Sequence, residues 1–506
     1  MVQKIKTRSG VKRPRAIAAV QLAITVTVNT DRPLFVQIRE QIQQYIANKT
    51  LLPGMRLPPV RVLARQLGIN QITVAKAYRE LAENNLAEGR RGAGSFIRGY
   101  EERISRVASE RVGTKPLLAE RLFELARAPG VIAFSSNYPI ADSKTIQAFR
   151  ASMIHASEES LDDCFLYDLP LGRIKLREQI QRGLESESIS VDASNIMVTS
   201  GAQQGVDLTI RALVKPGKPV IMEQPAYYGV INAARGMHAR ILEVPLQPDG
   251  MDLNILEHHL VRSHAQLIYT NPTFQNPSGV TMSEEKRRAL LVLARRHGAV
   301  IIEDDHSHEL RFSGKPVPAI RALAGPDDLV LYSRGFGKTI LPGIRLGYLV
   351  MPDALRQRLL ATRAYADLHS NVFMQEVLAR FLSQRHHLKT VSRLRQKYGG
   401  RQQTLYKGLV AGMPEGTIVH KPEGGLSLWL TLPEGADSSE LYFRAVRRGV
   451  AFLAGDVFYA APSHPRSLRV SFGFNKDDEI EEGVARLCSV VKDLLSPRSV
   501  HNLFRP

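Results

Sequence analysis

Between about residues 131 and 352, short apolar runs alternate with stretches of helical periodicity. The apolar runs stand at residues 195–199, 219–222, 266–269, 299–302 and 329–332. Strands buried on both faces have this appearance, and parallel strands need a crossover, usually a helix, between them. The alternation therefore predicts an α/β fold with a mostly parallel sheet covered by helices. Such sheets bind ligands beyond the carboxyl ends of their strands, so we expect functional residues in the turns after these runs.

After residue 352 the pattern changes. A long helical stretch from about residue 353 leads to a part with β-type runs within residues 424–429 and 468–471. We predict a smaller α+β part there. A chain of 506 residues has room for two or more domains.

Residues 31–98 predict a compact unit of another kind. Apolar residues recur at helical spacing at Phe35, Ile38, Ile42 and Ile46. A short helix over about residues 59–67 ends at Gly68, and Asn70 is a suitable N-cap for the next helix. The sequence EGRRGAGSFI at residues 88–97 then predicts a hairpin with a glycine-rich tip. Helix, glycine turn, helix and hairpin together indicate a winged helix-turn-helix.

The positive charge of the chain is concentrated near this unit. The formal net charge is +19, and residues 1–100 hold 17 Lys/Arg against 5 Asp/Glu, a net of +12. Residues 1–30 form a basic extension with six basic residues between Lys4 and Arg15. This distribution favours a polyanionic partner such as DNA, although a basic tail that only aids solubility stays open.

Other features bear on the compartment. The two cysteines, Cys164 and Cys488, offer neither a disulfide framework nor a metal-ligand spacing, so we expect a reducing cytoplasm and no metal. No apolar run is long enough to span a membrane. Residues 16–28 are apolar but are interrupted by polar residues and lack a cleavage site. We interpret them as containing a short strand rather than a signal peptide.

The N-terminal unit resembles the GntR family of winged helix-turn-helix repressors over nearly its whole length. The matching residues are Pro33–Phe35, Pro53–Gly54, Arg56–Pro58, Arg61, Leu63–Ala64, Gln66–Gly68, Thr73–Val74, Ala77–Tyr78, Leu81, Gly89–Arg90 and Gly92–Phe96. The resemblance implies binding to a double-stranded DNA operator, and a recognition helix places its first residues near base edges. The candidate DNA-binding residues are Arg61, Asn70, Gln71, Thr73, Lys76, Arg90 and Arg91. For Arg61 and Lys76 taken singly, a solvated helix face stays open.

Five segments of the larger part carry residues suited to a phosphate and a pyridine ring. They are residues 200–205 (SGAQQG), 223–228 (EQPAYY), 271–279 (NPTFQNPSG), 301–305 (IIEDD) and 331–348 (LYSRGFGKTILPGIRLGY). Through them, residues 131–500 resemble the fold-type-I aminotransferases, and fusion to a GntR-type unit is the layout of the MocR subfamily of regulators. We therefore divide the chain into an extension (1–30), a DNA-binding domain (31–98), a linker leading into a helix (99–130) and an aminotransferase-like domain (131–500).

The resemblance implies pyridoxal 5′-phosphate as the cofactor and assigns roles around it. Lys338 forms the Schiff base with the cofactor aldehyde, and Asp304 pairs with the pyridinium nitrogen. Arg345 clamps the phosphate, together with Ala202 and Gln203 at the start of a helix.

Further roles follow from the same resemblance. Tyr227 stacks on the ring, and Asn276 bonds the 3′-oxygen. Arg469 grips the α-carboxylate of an amino acid, and Tyr167 reaches the phosphate from a partner subunit, which implies a homodimer. Taken singly, the motifs also allow a core tyrosine, an ordinary Asn-Pro turn, a charged loop residue and a surface lysine.

The sequence departs from the family pattern near the lysine. Hydroxyl residues usually stand where this chain has Gly335 and Gly337. A tyrosine usually follows the aspartate where His306 and Ser307 stand, and His306 can donate the same hydrogen bond with a charge that varies near neutral pH. We therefore expect weaker cofactor binding or slower chemistry than in a dedicated enzyme.

These features lead to three hypotheses. The first is a pyridoxal-phosphate-dependent transcription regulator that senses an amino acid or amine through an aldimine site, with weak or partial aminotransferase chemistry. The second is an aminotransferase with a 2-oxo acid acceptor, against which the winged unit argues. The third is a regulator whose pocket no longer holds the cofactor, against which Lys338, Asp304 and Arg345 argue.

Overall fold

The computed structural model describes residues 22–27, 32–47, 50–52, 54–83, 86–90, 94–97, 118–159, 161–461 and 466–496. The chain divides into two compact units. Of the described residues, the smaller unit comprises those up to 97 and residues 128–130, and the larger comprises residues 118–127 and those from 131 onward. Within the described part, no helix combines the length and apolarity that crossing a membrane requires.

The smaller unit consists of three helices and a hairpin. These are α1 (Leu34–Ala47), α2 (Val60–Leu67), α3 (Gln71–Glu83), β1 (Ala87–Arg90) and β2 (Gly94–Ile97). The turn between α2 and α3 needs Gly68, whose φ of 64° is disfavoured for side chains with a Cβ. Ile38, Ile42, Leu63 and Val74 lie in the core below these elements. The predicted helix-turn-helix and hairpin are therefore confirmed.

The segment before α1 differs from the prediction. Residues 22–27 form no strand, although Ile24 is buried in the core of the smaller unit. Gln41 and Gln37 of α1 instead bond the backbone of Thr25 and Thr27 through their side-chain amides. The alternation of apolar residues thus reflects one buried side of a segment that side chains of α1 hold, and no strand of the described part pairs with it.

The larger unit contains an eight-stranded sheet. Its strands are β4 (Ile196–Thr199), β5 (Pro219–Gln224), β6 (Arg240–Gln247), β7 (Gly250–Met251), β8 (Leu267–Thr270), β9 (Val300–Asp305), β10 (Val330–Gly335) and β11 (Gly347–Val350). They lie in the order β4-β11-β10-β9-β8-β5-β6-β7, preceded in the chain by β3 (Ile132–Ala133). The five strands from β10 to β6 are parallel neighbours. The predicted α/β fold is confirmed, with the five apolar runs in five of its strands.

Helices cover both faces of this sheet. They are α4 (Leu118–Ala126), α5 (Ser143–Glu159), α6 (Leu161–Cys164), α7 (Ile174–Glu185), α8 (Ala202–Leu213), α9 (Tyr228–Gly236), α10 (Leu253–Ser263), α11 (Glu284–Arg296) and α12 (Ile320–Leu323). Separate apolar cores form against the sheet, two of them around Val206 and Leu290. Burial on both faces explains why the strands appear in the sequence as continuous apolar runs.

The carboxyl-terminal part begins with three helices, α13 (Asp353–Ala366), α14 (Val372–Ser383) and α15 (His386–Gly412), where one long helical stretch was predicted. A second sheet follows in the order β12-β13-β16-β15. Its elements and their neighbours are β12 (Ile418–His420), β13 (Ser427–Thr431), α16 (Ser438–Arg447), β14 (Val450–Ala451), β15 (Leu453–Ala454), β16 (Ser467–Ser471) and α17 (Asp477–Leu495). All pairings in this sheet are antiparallel, as an α+β part requires.

Helix α4 lies within residues 99–130, which we predicted as a linker leading into a helix. Leu122 and Leu125 of α4 are buried, and the Tyr442 hydroxyl donates to the Leu122 carbonyl (2.5 Å). These contacts tie α4 to α16 of the larger unit. Residues 99–117, the rest of the predicted linker, lie outside the described residues.

Candidate functional site

The ends of β9 and β10 position the central acidic residue. The register pairs Asp304 with Ser333 and Asp305 with Arg334. Because side chains alternate along a strand, Asp304 and Asp305 face opposite sides of the sheet. Asp304 lines a cavity of about 430 Å³ beyond the carboxyl ends of the strands, which is where a parallel sheet is expected to hold its ligand.

Most of the residues assigned to the cofactor and substrate from the sequence meet at this cavity. The assigned residues that line it are Ala202, Gln203, Tyr227, Asn276, Asp304, His306, Lys338, Arg345 and Arg469. Tyr167 is not among the lining residues. Its side chain is 87% exposed, and its ring lies 5.9 Å from the ring of His369. The fold thus brings together side chains that are up to 267 positions apart in the sequence, from Ala202 to Arg469.

Asp304 provides a buried hydrogen-bond acceptor. Its Oδ2 accepts from the Tyr269 hydroxyl (2.7 Å), whereas its Oδ1 is buried and has no partner among the described residues. Burial raises the pKa of Asp304 to about 6, against the lowering effects of the Tyr269 hydrogen bond and of Lys338. A protonated ring nitrogen satisfies such an acceptor and stabilises its charged form, so the site fits a pyridinium group.

Lys338 provides an amine that is poised to react. Its Nζ donates to the backbone oxygen of Asn137. Burial lowers the pKa of Lys338 to about 7, and the charges of Arg469 and Arg345 add to this effect. A substantial fraction of the amine is therefore neutral at neutral pH, which is the form that attacks a carbonyl carbon.

The start of α8 forms a cradle for an anion. No side chain caps α8 at Gly201, whose φ is 89°, and the Arg345 guanidinium lies beside it and donates to the Ser200 carbonyl (3.2 Å). A Cβ at Gly335 would lie 3.2 Å from the Ala202 nitrogen. The family pattern has a hydroxyl residue at position 335. Because Gly335 has no side chain, the Ala202 nitrogen is uncovered. Uncapped backbone N–H groups at a helix start, next to an arginine, suit a phosphate.

His306 differs from the expectation for its charge. The side-chain amide of Asn271 orients the His306 ring. Because Asn271 Oδ1 accepts from the backbone nitrogen of Asn276, it is Asn271 Nδ2 that faces His306 Nδ1, at 3.1 Å. His306 Nδ1 is thus the acceptor, and Nε2 carries the proton. Burial, followed by the charge of Lys338, lowers the pKa of His306 to about 3. The prediction that its charge varies near neutral pH is therefore wrong, because burial disfavours the charged imidazolium and the charge of Lys338 adds to this effect.

Arg469 is a buried cation that forms no ion pair with a carboxylate in the described part of the chain. It is 2% exposed, and it donates to Asn276 Oδ1 (2.8 Å) and to the Ser135 carbonyl (3.1 Å). Its Nε is buried without a partner among the described residues, and burial lowers its pKa to about 10. An uncompensated buried charge is costly, so this position favours a carboxylate ligand.

Several lining residues were missed by the sequence analysis. They are Phe123, Arg127, Ser136, Asn137, Tyr138 and Tyr228. Tyr228 stands in the quoted EQPAYY segment, and the Asn271 that orients His306 begins the NPTFQNPSG segment. Residues 136–138 and helix α4 carry no motif, so no local signal in the sequence identifies them.

A buried ionic cluster lies behind the cavity, on the other face of the sheet. His308 Nδ1 lies 2.7 Å from Asp305 Oδ2 and Nε2 lies 3.3 Å from Glu187, and Arg334 pairs with Glu187 (2.9 Å) and Glu309 (2.7 Å). Burial alone lowers the pKa of His308, but Asp305 and the hydrogen bonds outweigh it and raise the pKa to about 10. The cluster, comprising Asp305, His308, Glu187, Arg334 and Glu309, anchors the strand ends that carry Asp304.

We expect His308→Gln to lower the free energy of unfolding by about 1–3 kcal/mol at pH 6. The folded pKa is raised above the unfolded value near 6.5, so the stabilisation by protonated His308 is complete below pH 6.5. It is lost as the pH rises towards 10, and the gap between wild type and variant should narrow over this range. Denaturant unfolding from pH 6 to pH 10 measures the gap. His258→Gln, at an exposed histidine, is the control, and a gap independent of pH would contradict the assignment.

The smaller unit presents most of the candidate DNA-binding residues on its surface. Arg61, Gln71 and Lys76 are exposed, and Thr73 is half-buried. Exposed Asn70 accepts from the Ile72 nitrogen (2.8 Å) and so caps α3.

Two further observations concern this surface. Lys76 Nζ lies 3.8 Å above the Phe35 ring. Ile72, which the sequence analysis did not single out, is 75% exposed at the start of α3, and an apolar side chain there can contact a thymine methyl group. Arg91 and the side chain of Arg90 lie outside the described residues.

Two family models match this chain. The model described as aminotransferase class I and II matches residues 129–487, and the model described as bacterial regulatory proteins, gntR family, matches residues 34–97. The first match spans more than half of the chain.

Curated relatives are of two kinds. An aromatic-amino-acid aminotransferase from Thermococcus litoralis is 30% identical over 78% of this chain and 95% of its own length. The uncharacterised HTH-type transcriptional regulator YdcR of Escherichia coli is 27% identical over 91% of this chain and 99% of its own length. The probable rhizopine catabolism regulatory protein MocR of Rhizobium meliloti is 27% identical over 86% of this chain and 89% of its own length.

Solved structures match the larger unit. Kynurenine aminotransferase of Pyrococcus horikoshii, in complex with PMP, has a TM-score of 0.71 and 33% identity over 77% of this chain and 98% of its own. LysN of Thermus thermophilus, complexed with N-(5′-phosphopyridoxyl)-L-leucine, has a TM-score of 0.70 and 29% identity over 78% of this chain and 99% of its own. With its gntR-type domain joined to an aminotransferase fold, the chain belongs to the class I and II aminotransferase family over its larger part and, as a whole, to the MocR-type subfamily of GntR regulators.

Proposed function

We propose that this GntR-type regulator binds pyridoxal 5′-phosphate in the larger unit and senses an amino acid or amine there. The observation that carries the proposal is the unpartnered, buried Oδ1 of Asp304 in the same cavity as Lys338. An acidic acceptor for a ring nitrogen and a partly neutral lysine amine are the two groups that this cofactor requires of a protein. Their presence in a chain with a DNA-binding domain favours a sensor.

Different residues of the cavity bind different parts of the cofactor and of the amino acid. When bound, the cofactor supplies an aldehyde that condenses with amines and a ring that withdraws electrons. Arg345 and the uncapped start of α8 hold the phosphate, and Tyr227 lies against the ring. His306 offers its Nε2 proton to the 3′-oxygen without adding a charge. Arg469 holds the α-carboxylate of the incoming amino acid, in place of the neutral oxygens that it bonds in this structure, and Asn276 bonds the 3′-oxygen.

The proposal includes a homodimer that binds a palindromic operator in the cytoplasm. An exposed apolar stretch supports the second copy: Phe165 is 78% exposed beside Tyr167, and Leu166 and Leu169 are also exposed. Monomeric proteins seldom expose such a group, and a second copy would cover it and bring Tyr167 to the neighbouring phosphate. Two-fold symmetry then matches two DNA half-sites one or more helical turns apart.

The alternative is an aminotransferase that completes turnover, and it is favoured by the complete set of Lys338, Asp304 and Arg345 in the cavity. Against it stand Gly335 and Gly337, which provide no hydroxyl to the phosphate. One lost donor costs on the order of a hundredfold in rate at an active site. We therefore expect amino acids to change the visible spectrum of the cofactor-loaded protein within seconds. Turnover with a 2-oxo acid should be slower than about 1 per second.

The experiment combines three measurements on the full-length protein: the visible spectrum, keto acid production and the affinity for operator DNA, each titrated with a panel of amino acids and amines. A ligand that changes both the spectrum and the DNA affinity supports the sensor. Steady turnover at 1 per second or faster, with unchanged DNA affinity, would show that the aminotransferase alternative is correct.

A further inference from the structure

The cavity beside Lys338 is lined by a marked excess of positive charge. Among its described lining residues, Arg127, Arg345 and Arg469 are cationic and Lys338 is partly so, whereas Asp304 is the one carboxylate. A cleft lined by one sign of charge raises the local concentration of ligands of the opposite sign. The cavity therefore suits a set of ligands that together carry several negative charges.

Under the proposed function, three of these four residues each bind a part of the cofactor or of the amino acid. Arg345 holds the cofactor phosphate, Lys338 meets the cofactor aldehyde, and Arg469 holds the α-carboxylate of the amino acid. The proposed function assigns no group of the cofactor or amino acid to Arg127. Its guanidinium forms no hydrogen bond or ion pair with any residue in the described part of the chain.

The neighbours of Arg127 place it near the amino acid ligand rather than near the cofactor. It directly follows the last residue of α4, and Phe123, four residues earlier and on the same face, also lines the cavity. The Phe123 ring lies 6.3 Å from the Tyr228 ring, which lies 6.1 Å from the Phe458 ring. Arg469 in turn lies over Phe458, at 5.2 Å. An aromatic surface thus runs from the helix of Arg127 to the arginine that awaits the α-carboxylate.

Building on the proposed function, we infer that the effector is an amino acid whose side chain ends in a second anionic group, which Arg127 binds. Its aliphatic part packs on Phe123 and Tyr228, and its α-carboxylate lies on Arg469. A planar guanidinium binds a carboxylate with two parallel hydrogen bonds, so it distinguishes an acid from the amide of the same shape. Because Arg127 is exposed, water weakens the pair, and we expect a preference of about two- to fivefold.

The test uses the full-length, cofactor-loaded protein and two matched ligand pairs. L-glutamate and L-glutamine, and L-aspartate and L-asparagine, differ in charge but hardly in shape. The change in the visible spectrum gives an apparent Kd for each. We expect the acid of at least one pair to bind about two to five times more tightly than its amide. Arg127→Gln should reduce this ratio to about one, and Arg127→Lys should retain part of it.

Arg262→Gln, at an exposed arginine on α10, is the matched control and should keep the full ratio. Equal binding of acids and amides, or tighter binding of L-phenylalanine than of either acid, would overturn the inference and leave the proposed function standing, because the spectrum still responds. A preference for acids that survives Arg127→Gln would overturn it as well. If no amino acid or amine changes the spectrum, the proposed function fails and the inference falls with it.

Discussion

Replacing Lys338 with alanine is expected to abolish the visible absorption that bound pyridoxal phosphate gives to the wild-type protein. Lys338 is the lysine whose amine, with a pKa of about 7, lies in the cavity with the unpartnered Oδ1 of Asp304. No other lysine is among the described lining residues of the cavity, so none takes its place. The response of DNA binding to amino acids should be lost together with the absorption band.

Two companion variants make this result specific. Lys338→Arg keeps a positive charge near Asp304 but cannot condense with an aldehyde, so it should lose the band equally. Lys315→Ala removes an exposed lysine and should leave the spectrum unchanged. Circular dichroism verifies that the fold persists. An unaltered absorption band in the folded Lys338→Ala variant would show that Lys338 does not form the Schiff base.

Removal of residues 1–98 is expected to eliminate operator binding, the second large effect. The gntR-type match and most of the surplus positive charge lie in this part of the chain. In the full chain, affinity should fall steeply with salt, because each phosphate contact releases counterions. Arg61→Ala should weaken binding by about 1–3 kcal/mol if the arginine contacts a base. The operator can be obtained by selection from a random-sequence duplex pool.

Arg65→Ala is the matched control for Arg61→Ala, since both arginines are exposed on α2. A steep fall of affinity with salt would indicate contacts to DNA phosphates. A truncated protein that still shifted the selected operator would place the DNA contacts in the larger unit. Equal losses for Arg61→Ala and Arg65→Ala would indicate a general charge effect rather than a base contact.

How far the sequence predicts the site depends on where each residue stands. Asp304 stands near the end of β9, and Lys338 and Arg345 follow β10, where a parallel sheet places its ligand residues. The motifs around them are local, so their resemblance to the fold-type-I aminotransferases was enough to select these residues. The charge of His306 was wrongly expected, because its pKa depends on burial beside Lys338, which is 32 positions away. Tyr167 is exposed in the single chain, and its role at a partner's phosphate remains a prediction.

By itself, the sequence determined the fold class and the winged helix-turn-helix, and through the family resemblance it selected most of the candidate residues that line the cavity. Each of these depends on short-range patterns: apolar periodicity, glycine turns and motifs of a few residues. Only the tertiary structure decided that Arg127, directly after α4, and Asn137 of a motif-free turn line the same cavity. It also decided which oxygen of Asp304 lacks a partner, because burial and pairing depend on side chains brought together from distant parts of the chain.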